Sequence, residues 1–356
     1  MIKTQIKYFL IVIPFSFLSI KNLIAQAGTT NTYKFLNLSS SARISALGSE
    51  IISIDDEDIS MSNENPAILK EEMSKSLALG HRFMFNGISS QNLDYGFKIG
   101  KIKMPFHTGI HFVNYGEAKM ADIYGDITGT VSGSDMAFLI GTSYSLYENL
   151  ALGLNTRFIY SSLGTYNSFG ITTDLGALYH VKSKNLDIGF VIKNLGGTID
   201  PYAEAREPAP LNVMAGISKR LAHLPFRFSI TATHLNRFNL TYDDPEGEDN
   251  IVFVGENQEK SKFAVFSDNF FRHFIFSGEF LLGKNSGPLR IRFAYNHRKA
   301  KEMSVYPYRS FAGFSFGFGL KMKRLTLDYA YNIHHLAGGK SHLTLSTNLN
   351  NFRKRL

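Results

Sequence analysis

The sequence predicts an all-β fold: a transmembrane antiparallel β-barrel of about 14 strands, preceded by an N-terminal segment that acts as a plug. Three observations carry this expectation. From Ser76 to Asn350 the chain alternates apolar residues with polar or small ones, in runs of roughly ten residues or more, which is the side-chain period of a strand with two unlike faces. The connections between these runs alternate between short and long. An export signal precedes them, and no other run is long and apolar enough for a spanning helix.

Residues 1–26 read as a signal peptide. Lys3 and Lys7 supply a basic start, Tyr8 to Ile20 an apolar stretch interrupted by Pro14, and Ala25-Gln26-Ala27 a small-x-small cleavage pattern. The apolar stretch falls short of the ~20 residues a spanning helix needs.

Residues 27–75 alternate poorly and form the expected plug. A helix is predicted to start near Ser41 and to stop at Gly48. The acidic run Asp55-Asp56-Glu57-Asp58 follows, then Asn65-Pro66-Ala67, in which Asn-Pro starts a turn and keeps Asn65 out of the helical region. Inside the barrel these carboxylates would meet inward cations such as Arg157, Lys193 and Arg290. The competing expectation is a solvated periplasmic tail.

Residues 76–352 form the expected barrel, with strands near 76–87, 91–100, 104–116, 133–146, 149–161, 168–182, 185–195, 210–219, 225–235, 273–283, 288–298, 310–321, 324–333 and 341–350. Within 149–161, Leu150, Leu152, Leu154, Thr156, Phe158 and Tyr160 share one face, and Ala151, Gly153, Asn155 and Arg157 share the other. Turns such as Tyr147-Glu148 and Met322-Lys323 are short, whereas 117–132, 196–209, 236–272 and 299–309 are long. Outer-membrane barrels carry short turns on the periplasmic side and long loops outside, which places both termini in the periplasm. A soluble sandwich would also alternate. Its strands would be shorter, and its inward faces would not carry so many Gly, Ser, Thr, Asn and charged residues.

Loop 236–272 divides into two halves. The first holds Asp243, Asp244, Glu246, Glu248 and Asp249, a solvated charge run without the spacing of a calcium loop. The second, with Phe263, Val265, Phe266, Phe270 and Phe271, suits an amphipathic helix lying at the membrane interface or against a partner.

Composition narrows the chemistry further. Cysteine is absent, which excludes disulfides and thiolate metal sites. The 30 Phe and 17 Tyr stand beside no Trp, so Tyr must supply any interfacial aromatic belt. The net charge of +8 reads either as solubility charge on the turns or as a complement to anionic lipid headgroups or lipopolysaccharide around the barrel, and nucleic acid is not expected for an exported chain.

No catalytic, cofactor-binding or metal-binding residues are assigned. Gly313-Phe314-Ser315-Phe316-Gly317 matches the Gly-x-Ser-x-Gly pattern of hydrolases, but it continues as strand where a nucleophile elbow requires a strand-to-helix turn. His334 and His335 are adjacent on a strand and point to opposite faces, so they make a poor metal pair. The lumen charges Asp174, Lys193, Glu279 and Asp328 read as structural partners.

A family resemblance appears in residues 33–69. Tyr33-x-Phe35-Leu36-Asn37-Leu38, Ser41-Ala42-Arg43, Ala46-Leu47-Gly48, the acidic run and the motif Asn65, Pro66, Ala67 resemble the N-terminus of the PorV/PorQ group. That group is similar to the FadL family of fourteen-stranded barrels with an N-terminal hatch. In the C-terminal third, Asp268 to His273, Arg292 to Arg298, Arg309 to Gly319 and Ala337-Gly338-Gly339 resemble its PorQ branch. Ser49 stands where the group usually has a second glycine. The resemblance implies a non-enzymatic outer-membrane component of the type IX protein secretion system, in a Bacteroidetes-type bacterium. Such a component holds a surface partner in the attachment complex, among PorZ, PorU and PorV. The FadL likeness implies an alternative, an outer-membrane transporter of hydrophobic small molecules.

Overall fold

The structure is a computed structural model that describes residues 31–100, 102, 104–240, 262–283, 288–303, 311–335 and 338–353. The expected signal peptide, the acidic half of loop 236–272, and Arg309, Ser310 and Ala337 lie outside the described residues. Fourteen strands follow one another around the wall: β1 Ser76–Phe83, β2 Ser89–Lys98, β3 Pro105–Ala121, β4 Ile127–Tyr147, β5 Leu150–Leu163, β6 Tyr166–Val181, β7 Leu186–Asp200, β8 Asn212–Arg220, β9 Phe226–Ala232, β10 Phe274–Leu282, β11 Leu289–Asn296, β12 Phe314–Lys321, β13 Leu325–His335 and β14 Gly338–Asn348. Each pairs antiparallel with the next, and β1 pairs with β14 from Ser76↔Asn348 to Phe83↔Ser341. Closure leaves the sheet no free edge, the condition for a sheet to survive in hydrocarbon.

Burial runs opposite to that of a water-soluble protein. In β5, Leu152, Leu154, Phe158 and Tyr160 are exposed, while Asn155, Arg157 and Ser161 are buried. In β12, Phe316, Phe318 and Leu320 point outward and Ser315 inward, as the alternation requires. Exposing Phe and Leu while burying Arg and Asn is unfavourable in water and favourable in lipid. The wall is therefore that of an outer-membrane barrel.

Some connections differ from the sequence expectation. Residues 117–132 are not a long loop, because β3 runs to Ala121 and β4 begins at Ile127, leaving a tight turn around Gly125. Most side chains in this hairpin extension are exposed on both faces, so the apolar/polar alternation that marks a membrane strand is lost there. Likewise β7 extends to Asp200, past a register shift opposite Thr173 and Leu175. Residues 297–302 form a helix in place of the expected end of a strand. The first strand stops at Phe83, and a 3-10 turn at Phe85–Gly87 follows, with Asn86 at φ 55°. At one end of the wall every connection is short, and the long connections 201–211, 233–273 and 297–313 all leave the other end, beside the tight turns 122–126 and 164–165.

Residues 32–75 lie inside the barrel and bond to the wall in many directions. Ala42 N donates to Thr344 Oγ1 (2.8 Å) on β14, and Asn332 Nδ2 of β13 donates to Ser45 O (2.8 Å). Ser53 Oγ meets Ser218 Oγ (2.7 Å) on β8, and Asn155 Nδ2 of β5 donates to Ser62 O (2.8 Å). The chain crosses from one half of the lumen to the other. Thr32 N donates to Pro208 O (3.3 Å) in the long-loop half, and β1 starts at the short-turn end.

Candidate functional site

The lumenal segment is built around its own apolar core. Helix α1 (Ala42–Ala46) starts where the Ser41 hydroxyl accepts from Ile44 N (3.3 Å). It ends in a turn closed by Ser49 N donating to Ile44 O (2.9 Å), with Gly48 at φ 95° and Ser49 at φ 83°. Ile44, Leu47, Ile51, Ile54, Met61 and Met73 then cluster with no appreciable exposure. An apolar nucleus thus sits inside a polar wall. The segment reaches that wall through two faces of different chemistry.

The first face is charged. Arg43 on α1 pairs with Asp56 (2.5 Å), Asp58 (3.2 Å) and Glu279 of β10 (3.2 Å). Glu279 also takes Arg292 Nε (2.8 Å) and Arg227 Nη1 (3.3 Å), and Arg292 continues to Asp328 (2.5 Å). Arg43, Glu279 and Arg292 are all about 1% exposed. Burial alone would raise the Asp56 carboxyl, but Arg43 and Arg227 outweigh it and hold the group well below the usual carboxylate range. Elsewhere Lys193 Nζ meets Glu64 (2.6 Å). There burial raises the carboxyl, and Lys193 offsets it only in part. Of the cations expected from sequence, Lys193 pairs with the segment, and Arg157 donates to Asn63 O (3.0 Å) and pairs with Asp174 of the wall. Arg290 lines the vestibule with no direct ion pair among the described residues. This vestibule, at the short-turn end, is a cavity of about 440 Å³ bounded in part by Asp56, Arg227, Arg290, Arg324 and Asp328.

The second face works by shape, and it holds Asn65, Pro66 and Ala67. All three are buried. Asn65 Oδ1 accepts from Ala67 N (3.0 Å), and its Nδ2 donates to Ile52 O (2.8 Å) and to Ala177 O of β6 (3.2 Å). The side chain thereby caps the 3-10 turn Pro66–Ile68 and pins it to the wall. The turn approaches the backbone of β5 and β6 so closely that only glycine fits opposite. A Cβ at Gly153 would stand 2.3 Å from Ala67 N, and one at Gly176 2.2 Å from Asn65 Oδ1.

At the long-loop end, helix α2 (Lys262–Arg272) and helix α3 (His297–Glu302) form a platform. Asp268 of α2 accepts from Arg272 (2.9 Å) and meets His297 Nε2 (3.1 Å). The resembling segments Asp268–His273 and Arg292–Arg298 are thus brought together. Phe263, Val265, Phe266, Phe270 and Phe271 are exposed. Phe270 packs on Phe274 (5.0 Å between centroids), and Phe274 stacks near Phe276 of the outward wall (6.3 Å). The apolar face of α2 therefore continues the lipid-facing surface. The platform also reaches the lumen. Arg298 Nη1 donates to His234 (2.9 Å), and burial lowers that imidazole to about 4. Burial would raise the nearby Glu50 carboxyl of the lumenal segment, but His234, Arg298 and Lys299 hold it down.

Gly313 sits in the turn before β12 at φ 87°, and Phe314 to Gly317 continue as wall strand, with no strand-to-helix turn after Ser315. Nothing local in the sequence marks the central roles of Arg43 and Arg292 beyond inward parity for Arg292 in β11 and, for Arg43, the closeness of the acidic run.

No protein-family model and no curated protein sequence matches the chain. Solved structures do. The Pseudomonas putida toluene transporter TodX matches at TM-score 0.51 and 11% identity, over 89% of this chain and 98% of that one. The deltaS2 mutant of the TodX monoaromatic hydrocarbon channel matches at TM-score 0.51 and 12% identity, over 87% and 97%. A Pseudomonas aeruginosa FadL homologue matches at TM-score 0.47 and 10% identity, over 87% and 98%. At these identities the likeness concerns the fold alone. The chain is a closed 14-strand outer-membrane β-barrel with a FadL/TodX-like fold and an N-terminal segment before its first strand.

Proposed function

We propose that this barrel is a non-enzymatic outer-membrane component of the PorV/PorQ type, exported by a cleaved signal peptide in a Bacteroidetes-type bacterium. It holds a surface partner for type IX secretion. The observation that carries this reading is the aromatic platform of α2 and α3, set at the long-loop end, where Arg298 bonds His234 and both lie in the field of Glu50 on a lumenal segment that is itself tied to the wall by buried ion pairs. A lumen filled in this way suits a rigid mount. PorZ, with PorU and PorV in the same complex, is the partner set implied by the sequence resemblance, and lipopolysaccharide or other anionic lipid is the surrounding medium. The test is mass spectrometry of proteins co-purifying with the tagged barrel from gently solubilised outer membranes, with and without residues 240–268. Loss of one surface protein in the deletion supports the mount, and unchanged co-purification refutes it.

A second reading is uptake of small hydrophobic molecules, and the structural comparisons favour it more directly, since the matching TodX structures are named as a toluene transporter and a monoaromatic hydrocarbon channel. Regular pairing between β7 and β8 ends at Lys193↔Asn212 and resumes at the bridge Gly197↔Pro208, with Ala209 N donating to Gly196 O (3.0 Å) and Thr198 N to Glu207 O (3.2 Å), so a lateral opening would have to form between these two pairs. Toluene uptake by a deletion strain and its complement separates the two readings. Uptake that follows the barrel supports transport, and unchanged uptake with lost surface attachment of secreted proteins supports the mount.

A further inference from the structure

The fold gathers three metal-ligating side chains that are far apart in sequence. Asp55 belongs to the lumenal segment, His180 lies at the end of β6, and Asp187 lies near the start of β7. One ligand atom from each lies within 4.8 Å of the other two. His180 and Asp187 are direct register partners, and His180 Nδ1 is hydrogen-bonded to Asp187 Oδ1. Their side chains are 32% and 14% exposed, and that of Asp55 is 15% exposed. The cluster is therefore shielded yet open to water at the short-turn end.

A His–Asp pair alone would satisfy itself. The second carboxylate changes this, because two like charges so close together repel unless a cation or a proton lies between them. Asp55 Oδ1 is buried, and Lys70 Nζ meets it at 2.5 Å. Lys70 is its one ion-pair partner among the described residues, and the lysine side chain is 38% exposed. One imidazole and two carboxylates from three chain segments form a donor set suited to a borderline divalent ion, with water completing the shell.

We propose that Asp55, His180 and Asp187 bind a divalent transition-metal ion that fastens the lumenal segment to the β6–β7 rim, and that Lys70 is the competing cation. Such an ion would join the segment to β6 and β7, strands that the Arg43 network does not reach by an ion pair. The site is independent of either reading of function.

The test uses the untagged full barrel, purified in detergent, with heat-modifiability on gels to verify folding of every variant. Co²⁺ is titrated by its visible absorption and Zn²⁺ by calorimetry. The wild type is expected to bind one ion with a nitrogen-ligated Co²⁺ spectrum. His180→Ala and Asp187→Asn each weaken binding by at least about 10-fold, and Lys70→Met tightens it. Absence of stoichiometric binding in the wild type overturns the proposal. So does wild-type affinity in folded His180→Ala, which would assign the ion to another of the 11 histidines.

Discussion

The two faces of the lumenal segment hold the same wall by opposite means. Toward β10, β11 and β13, Arg43, Asp56, Glu279, Arg292 and Asp328 form a continuous charged network. Toward β5 and β6, Asn65 and Pro66 fit against glycine backbone with no charge at all. The charged face is strong only while every member is present, since removing one strands its partners in a poorly solvated space. The glycine face depends on volume, and it tolerates loss of contact better than addition of atoms. The difference assigns the faces distinct failure modes: the first fails by deletion and by acid, the second by insertion.

The largest expected effect follows from the charged face. Glu279→Ala leaves Arg43, Arg227 and Arg292 without their shared carboxylate and should cost roughly 3–5 kcal/mol, read as a lower urea midpoint for the detergent-folded barrel. A midpoint equal to that of the wild type would show that solvent in the adjoining vestibule already screens these cations. The same face should be acid-sensitive. Asp56 has a native pKa well below its unfolded value of 3.8. Its stabilisation is complete above the unfolded value and is lost as pH falls below about 4 toward the native one. Asp56→Asn should therefore flatten stability between about pH 5 and pH 2, measured as unfolding midpoint against pH.

Gly176→Ala probes the other face. Its Cβ would stand 2.2 Å from Asn65 Oδ1, so the turn must shift, at about 1–3 kcal/mol. The wall hydrogen bonds of β6 do not involve this Cβ, so the barrel should still close and remain heat-modifiable while the lumenal segment becomes more protease-accessible. Unchanged accessibility would mean that the turn yields cheaply and that shape matters less here than charge does opposite. Asn65→Ala should cost somewhat less, about 1–2 kcal/mol, by losing the cap on Ala67 N.

The contrast also explains what the sequence revealed. The wall was legible strand by strand because lipid on one side and a polar lumen on the other force a two-residue period, as in Leu152, Leu154 and Phe158 against Asn155 and Arg157. Where β3 and β4 rise beyond the membrane, both faces meet water, the period vanishes, and the hairpin reads as loop. In the lumenal segment only the capped α1 and the Asn-Pro turn left local signals. Its short 3-10 turns have no period, and its partners are remote: Arg43 finds Glu279 and Asn65 finds Ala177 through the closed barrel, which no local spacing encodes. The acidic run was visible, but its main partner, Arg43, lies in the same segment, not among the wall cations first expected.

The smallest expected effect belongs to neither face and so calibrates both. Ser49 carries φ 83° at the exit of α1, in a backbone region where a Cβ crowds the following carbonyl and costs an L-residue about 1 kcal/mol. The turn is needed there, because Ser49 N closes the helix onto Ile44 O and sends the chain toward the core at Ile51. Ser49→Gly should relieve the crowding and keep the bond. Part of that gain is returned through the greater freedom of glycine in the unfolded chain. The net expectation is a rise of at most about 1 kcal/mol in unfolding free energy, seen as a higher urea midpoint at unchanged slope. Because the turn touches neither Glu279 nor Gly176, the gain should add to the losses in both double mutants within about 0.5 kcal/mol. Additivity with Gly176→Ala but not with Glu279→Ala would show that α1 shifts when its arginine loses the shared carboxylate, and would make the charged face responsible for placing the helix as well as holding it.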